Sequence, residues 1–315
     1  HYLDQTYYQG NSDGHFFKFI NNKDQRGSQM IRTNLEKCSR AIALTALTAG
    51  LSLGSVSTVS AGTLDDLRDQ GYATVAVANE PPYSDVKGDG YVTGAAPDVA
   101  RAVMKKLGVP ELRAIVVGYG AMIPALMARR VDMATSGLYI KPKRCESIIY
   151  SEPDLCGAEA FAVKKGNPFN IMTYEDIGNN KDVTMTTCAG CAEEAYAYER
   201  GVSKDQMKIM ADPMSGIKML QQGRVDVFAL SGLGTADLLK KTNDPGLEIV
   251  MPVKGVPMGC AGAAFNSDDD DFRDAYDKAL AELKSSGEFA KIVEPYGFSA
   301  AATLAVKRDD FCPGN

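Results

Sequence analysis

The chain reads as an α/β protein built from two similar lobes with a ligand cleft between them. Three observations carry that reading. Short apolar runs alternate with amphipathic stretches through most of the chain, the pattern of mostly parallel sheets flanked by helices. The run MIPALMARRVDMATSG (Met122 to Gly137) has the same grammar as GIKMLQQGRVDVFALSG (Gly216 to Gly232): a helix ending in a basic residue, Val-Asp, a strand, then Ser-Gly. Finally, two Ala/Gly-rich segments, SEPDLCGAEAFAVKKGN and VPMGCAGAAFNSDD, stand between the units, each suited to cross from one lobe to the other.

In chain order, residues 1–29 are polar and aromatic without periodicity and precede Met30; they are set aside as a mis-called or extraneous leader. Residues 30–61 have the layout of a secretory signal peptide. Arg32, Lys37 and Arg40 precede the small-apolar run Ala41 to Val59, and Val59-Ser60-Ala61 fits a cleavage site. That run is rich in Ser, Thr and Gly and is a poor match to a spanning helix of about 20 apolar residues. Cys38 precedes it, which argues against lipoprotein processing.

From Gly62 onward, TVAVANEPPYSDV is a strand followed by a Pro-broken loop. APDVARAVMKKLG is an amphipathic helix with Val99, Val103 and Leu107 on one face and Gly108 as C-cap. LRAIVVG is a strand, YGAMIPALMARRV a helix and DMATSGLYI a strand. The second unit runs DVTMTTCAG (strand and loop), CAEEAYAYERG (helix), DQMKIMAD (strand), PMSGIKMLQQGRV (helix) and DVFALSGLG (strand and loop). The tail helices FRDAYDKALAELKSSG and FAKIVEPYG return to the first lobe. The lobes are therefore expected at 62–162 with 261–315, and at 163–260.

Composition removes several function classes. Net charge is -6 with a pI near 5.2, and no Lys/Arg cluster follows the signal segment, so nucleic acid is not an expected partner. His1 and His15 both fall in the leader, which leaves no imidazole for a base, a nucleophile relay or a metal. No GxGxxG or Walker A sequence occurs. No cofactor and no catalytic activity are expected.

Cys145, Cys156, Cys188, Cys191, Cys260 and Cys312 follow the signal segment, and an even number in an exported chain favours disulfides. Cys156 and Cys260 lie on the two crossovers and can meet; Cys145 with Cys156 is the competing pair. Cys188-Ala-Gly-Cys191 has three readings. A redox motif needs a thioredoxin pattern around it, and zinc needs two further thiolate or imidazole ligands; neither is present. The third reading is a loop at a helix N-terminus that faces an anion, with or without a disulfide across it.

Open α/β sheets bind ligands at the C-terminal ends of their strands. Glu80 and Tyr83 (ANEPPY), Tyr119 (VGYGAMI), and Gly137 with Tyr139 (TSGLYI) are expected at such ends. A carboxylate with three aromatics suits a delocalised cation. Arg144 in YIKPKRCE is a fork for a carboxylate. Together these describe a pocket for a small zwitterion.

The run GAMIPALMARRVDMATSGLYIKPKRCESIIYSEP resembles the first-lobe signature of the extracellular solute-binding proteins of polar amino-acid ABC importers. Taken with ANEPPYSDV, GYVTGAAPDVARAVMKKLGVP, DLCGAEAFAVKKGNP, EPYGFSAA and the terminal FC, the chain is similar over Gly62 to Cys312 to the ectoine/hydroxyectoine-binding members of that group. The resemblance implies the type II periplasmic binding protein fold, a periplasmic monomer, a small zwitterionic solute and an ABC permease as partner. It further implies Glu80 against the solute's amidinium, Tyr83, Tyr119 and Tyr139 as its cage, Arg144 on its carboxylate, and N–H donors from Ala189, Gly190, Cys191 and Ala192 on closure.

Three departures stand out: Tyr at 83 and 139 where Phe is expected, the CAGC loop where small apolar residues are usual, and Cys260 where an aromatic is expected. Amino-acid binders of the group commonly carry an Asp where this chain has Ser231, which turns the expectation away from ordinary α-amino acids. A polar amino acid, a betaine, or an enzyme on the same fold with Glu80 as its acid are the alternatives.

Overall fold

The structure is a computed structural model and describes residues 63–88 and 90–314. The leader and signal segment lie outside the described residues. Along the chain, β1 (Tyr72–Val77) is followed by a small hairpin of β2 (Asp85–Val86) and β3 (Val92–Thr93), then β4 (Glu111–Val116), β5 (Met133–Ala134) and β6 (Ile148–Tyr150). β7 (Leu155–Gly157) leads out of this lobe. The second lobe holds β8 (Glu159–Lys164), β9 (Met185–Cys188), β10 (Met207–Met210), β11 (Val227–Ser231) and β12 (Leu247–Val250). β13 (Gly259–Ala261) returns, and β14 (Ala264–Asn266) rejoins the first lobe.

Two five-stranded sheets result, ordered β4-β1-β5-β14-β6 and β10-β9-β11-β8-β12. In each, the strands that alternate with helices pair in parallel, and the strands entering from the crossovers are antiparallel to them. The apolar runs are nearly continuous because both faces of each sheet are covered. Along β1, Val75 and Val77 enter one core while Ala76 enters the opposite one. Along β11, Val227 and Ala229 face one core, and Phe228 and Leu230 the other. A period of two laid between two helical layers therefore reads as an unbroken hydrophobic run.

Helix Ala95–Lys106 buries Val99, Ala100, Val103 and Met104. It packs against the tail helices Asp270–Ser285 and Glu288–Val293, so the C-terminal segment does return to the first lobe. Gly108 follows this helix at φ +87°, a C-cap conformation that costs a side-chain-bearing residue strain.

Some local expectations change. DMATSGLYI is not one strand: β5 ends at Ala134, Gly137 turns the chain at φ +75°, and Tyr139 forms only an isolated bridge with Ala261. Tyr119 opens helix Tyr119–Met127 instead of closing a strand. The boundary expected at 162/163 falls earlier, because Glu159 to Lys164 already pair within the second sheet.

The crossovers themselves form a two-stranded antiparallel ladder, with Gly157 opposite Gly259, Cys156 opposite Cys260 and Leu155 opposite Ala261. Cys156 and Cys260 are disulfide-bonded, and Cys145 bonds Cys312, which excludes the Cys145–Cys156 alternative. Removing the Cys156–Cys260 bridge, which spans 104 residues, by a Cys156→Ala/Cys260→Ala variant is expected to cost about 2–4 kcal/mol of stability. Urea unfolding without ligand measures it; a loss well under 1 kcal/mol would mean the ladder holds without its bridge.

Candidate functional site

Strand ends from both sheets converge on a cavity lined by Glu80, Tyr83, Tyr119, Gly137, Tyr139, Arg144, Cys191, Ala192, Glu193 and Ser231. Nine of the eleven residues singled out in the sequence are in this lining. Ala189 and Gly190 stand outside it and meet the first lobe directly.

Glu80 sits three residues beyond β1, in a tight turn where Ser84 N–H donates to Glu80 O at 3.1 Å. Its side chain is buried, and Oε1 accepts from Ser231 Oγ at 2.5 Å, across the cleft. Ser231 is also the N-cap of helix Gly232–Thr242, accepting Gly234 N–H at 3.3 Å, which fixes the hydroxyl toward Glu80. Burial pushes the Glu80 carboxyl up to about 8, and the nearby charge of Glu193 adds to this; the hydrogen bond from Ser231 offsets part of it. The closed cleft near neutral pH thus favours a protonated Glu80, and a cation that needs the carboxylate must expel that proton.

The three tyrosines are held by their hydroxyls, leaving ring surface to the cavity. Tyr119 Oη donates to Ser136 O at 2.8 Å. Tyr83 and Tyr139 hydroxyls lie 3.3 Å apart and bond to one another. Phe298 meets the Tyr83 ring edge-on at a centroid distance of 4.7 Å. Glycines make the room: a Cβ at Gly137 or Gly157 would strike Tyr83, and one at Gly259 would strike Tyr139. The hydroxyls that distinguish this cage from a phenylalanine cage therefore serve each other, and they rest against the crossover ladder.

Arg144, in the short helix Pro142–Cys145, is oriented by its own lobe and reaches the other. Nη1 donates to Tyr139 O at 2.7 Å and Nη2 to Gly190 O at 2.9 Å. A guanidinium has five N–H donors, so the fork retains capacity toward the cavity. Lys141 is nearby, 3.4 Å from the Tyr196 ring centroid; burial, then Arg144, lowers its pKa.

The loop Cys188 to Cys191 behaves differently from expectation. Gly190 N–H donates to Glu194 Oε2 at 2.7 Å, and Cys191 N–H points to Cys188 O at 3.4 Å. These donors are occupied within the second lobe. What the loop presents across the cleft is carbonyls: Ala189 O accepts from Gly120 N–H at 3.1 Å, and Gly190 O accepts from Arg144. The reversal follows from Gly190 at φ +72°, a backbone choice that residue identity permits without dictating. Cys188 and Cys191 are joined in a disulfide. With Glu193 they bring three potential metal-ligand atoms within 4.8 Å of one another, but bonded sulfurs have no thiolate to offer.

Two acids were not singled out in the sequence. Glu193, in the first turn of helix Ala192–Glu199, is buried and lines the cavity. Glu159, opposite Ser231 in the β11–β8 ladder, is buried, and among the described residues no N–H or hydroxyl donor reaches either of its oxygens. The group against it is Glu193, with which it shares a hydrogen bond once one of the two carries a proton. Burial raises both, and for Glu159 the Glu193 charge raises it further. The available signal for Glu159 was a lone acid inside the apolar strand AEAFAV, since buried carboxyls demand a partner. Glu193 resembled an ordinary acid in a first helical turn.

The residues 73–299 match the family of bacterial extracellular solute-binding proteins, family 3. The "Probable amino-acid ABC transporter periplasmic-binding protein y4tE" of Sinorhizobium fredii (strain NBRC 101917 / NGR234) is 34% identical over 272 residues, 84% of this chain and 89% of that protein. The L-cystine-binding protein TcyJ of Escherichia coli (strain K12) is 27% identical over 259 residues, 82% of this chain and 93% of that one. Among solved structures, EhuB in complex with hydroxyectoine has a TM-score of 0.79 and 50% identity, covering 80% of this chain and 98% of that one. The arginine-bound form of truncated ArgBP from T. maritima, at 24% identity and a TM-score of 0.62 over 70% of this chain and 99% of that one, shares the fold. With the family matched over most of its length and two sheets closing on one cavity, the chain belongs to the bacterial extracellular solute-binding proteins, family 3.

Proposed function

We propose that this protein captures ectoine or 5-hydroxyectoine in the periplasm and presents it to an ABC permease, without catalysis. The observation that carries the reading is that one cavity is lined together by the Glu80 carboxyl, three tyrosine rings and the Arg144 fork. A planar amidinium suits the carboxyl and the rings, and a carboxylate suits the fork. The 50% identity to EhuB, a protein solved with hydroxyectoine, supports the same solute class. Direct inter-lobe bonds from Glu80, Gly120 and Arg144 are those of a closed cleft, and a solute that bridges the lobes would favour that state by differential affinity. Family membership and the signal-like segment support export, and no described helix is long and apolar enough to cross a membrane.

A polar amino acid is the second reading, and Glu193 favours it: this acid gives the second lobe the carboxylate that Ser231 does not, so an α-ammonium would have a partner. Calorimetric titration with ectoine, 5-hydroxyectoine, glycine betaine, glutamine, arginine and cystine separates the readings. Tight binding confined to the two ectoines is expected. Silence with both, beside tight binding of an amino acid, would reverse the assignment.

A further inference from the structure

The loop from Cys188 to Cys191 joins the end of β9 to the start of helix Ala192–Glu199, and its two ends are tied by a disulfide. The two residues inside the ring, Ala189 and Gly190, carry both backbone carbonyls that the first lobe grips, through Gly120 N–H and the Arg144 guanidinium. Contact there is close: a Cβ on Gly190 would run into Gly120 Cα. On its other side the ring supplies Cys191 to the cavity wall, followed directly by Ala192 and Glu193. One short covalent ring therefore shapes the inter-lobe contact and part of the solute wall together.

We propose that the Cys188–Cys191 disulfide is a positioning element of the solute site, holding the Ala189 and Gly190 carbonyls toward the first lobe so that closure around solute needs no ordering of the loop. This rests on the solute-binding reading above. An unbridged Ala-Gly loop samples many backbone states, Gly most of all, and each closure event would have to select one. Preorganisation removes that cost from binding.

The test is a Cys188→Ala/Cys191→Ala variant of the full chain. Titration with 5-hydroxyectoine is expected to show affinity about 10- to 30-fold weaker than native. Hydrogen exchange at the Gly190 amide is expected to speed up without any solute present, because its acceptor, Glu194 Oε2, belongs to the same lobe and is met only while the loop keeps its shape. In an Arg144→Lys background the cysteine substitutions are expected to have a smaller effect, since the Gly190 carbonyl has already lost part of its partner. As an independent route, tris(2-carboxyethyl)phosphine reduces the bridge in the native chain: phosphine, water and disulfide give phosphine oxide and two thiols. The same treatment should leave the affinity of the Cys188→Ala/Cys191→Ala variant unchanged, which sets aside the two other bridges. Native affinity together with native Gly190 protection in the variant would overturn the proposal. Absence of ectoine binding by the native protein would count against the solute assignment alone, because the exchange measurement reads the loop without solute.

Discussion

Replacing Arg144 with alanine is expected to weaken binding of either ectoine by about 1000-fold, or ~4 kcal/mol, within the range for truncating one partner of a buried charge pair. Two losses coincide. The solute carboxylate would lose its bidentate partner in a water-poor cleft, where replacement by water is poor compensation. Gly190 O would also lose its donor from the first lobe, leaving the closed state with Gly120–Ala189 and Glu80–Ser231 as its remaining direct bonds described above. An Arg144→Lys variant keeps the charge but not the planar fork, and should fall between. Titration calorimetry decides the point: Arg144→Ala binding within tenfold of native would mean the carboxylate is held elsewhere, with Lys141 the next cation to examine.

Glu80→Gln is expected to cost about 100-fold in ectoine affinity, since a charge-assisted bond to an amidinium becomes a neutral one. Glycine betaine, which has no N–H to donate, should lose far less. The same variant carries a pH signature. In the closed cleft Glu80 is pushed up to about 8, so below that pH a bound cation must displace a proton. Native affinity should rise with pH by up to about tenfold per unit and level off above pH 8; Glu80→Gln should flatten the rise. A slope of native steepness in the variant would assign the displaced proton to the Glu159–Glu193 pair. Stability runs the other way. A carboxyl whose folded pKa lies above its unfolded value near 4.5 makes the folded state bind the extra proton. The unliganded protein therefore loses stability as pH rises from about 4.5 to 8, and Glu80→Gln should lose less over that window.

The residues of the first-lobe wall were legible because their placement is local. Glu80, Tyr83, Gly137 and Tyr139 lie within a few residues of β1 or β5, and Arg144 stands in the short helix just before β6; strand ends face the cleft in this class of fold. Tyr119 was found for a neighbouring reason, although it begins a helix. The loop at Ala189 and Gly190 was found but its role was inverted, because which end of a peptide unit faces outward depends on one positive φ that sequence allows without requiring. Glu159 and Glu193 were missed for a third reason: a lone acid in an apolar strand and an acid in a first helical turn name no partner, and their meaning appears only when β8 and helix Ala192–Glu199 bring one carboxyl against the other. Cys145 with Cys312 likewise depends on where the tail finishes, 167 residues along.

The crossover ladder carries one further implication. Gly157 and Gly259 face each other beside the Cys156–Cys260 bridge, and they are also the two residues whose missing side chains admit the ring ends of Tyr83 and Tyr139. The ladder that joins the lobes is thus also the floor on which the aromatic cage stands. A twist of that ladder would tilt the floor, so substitutions at the two glycines should disturb the lobe connection and the cage at once.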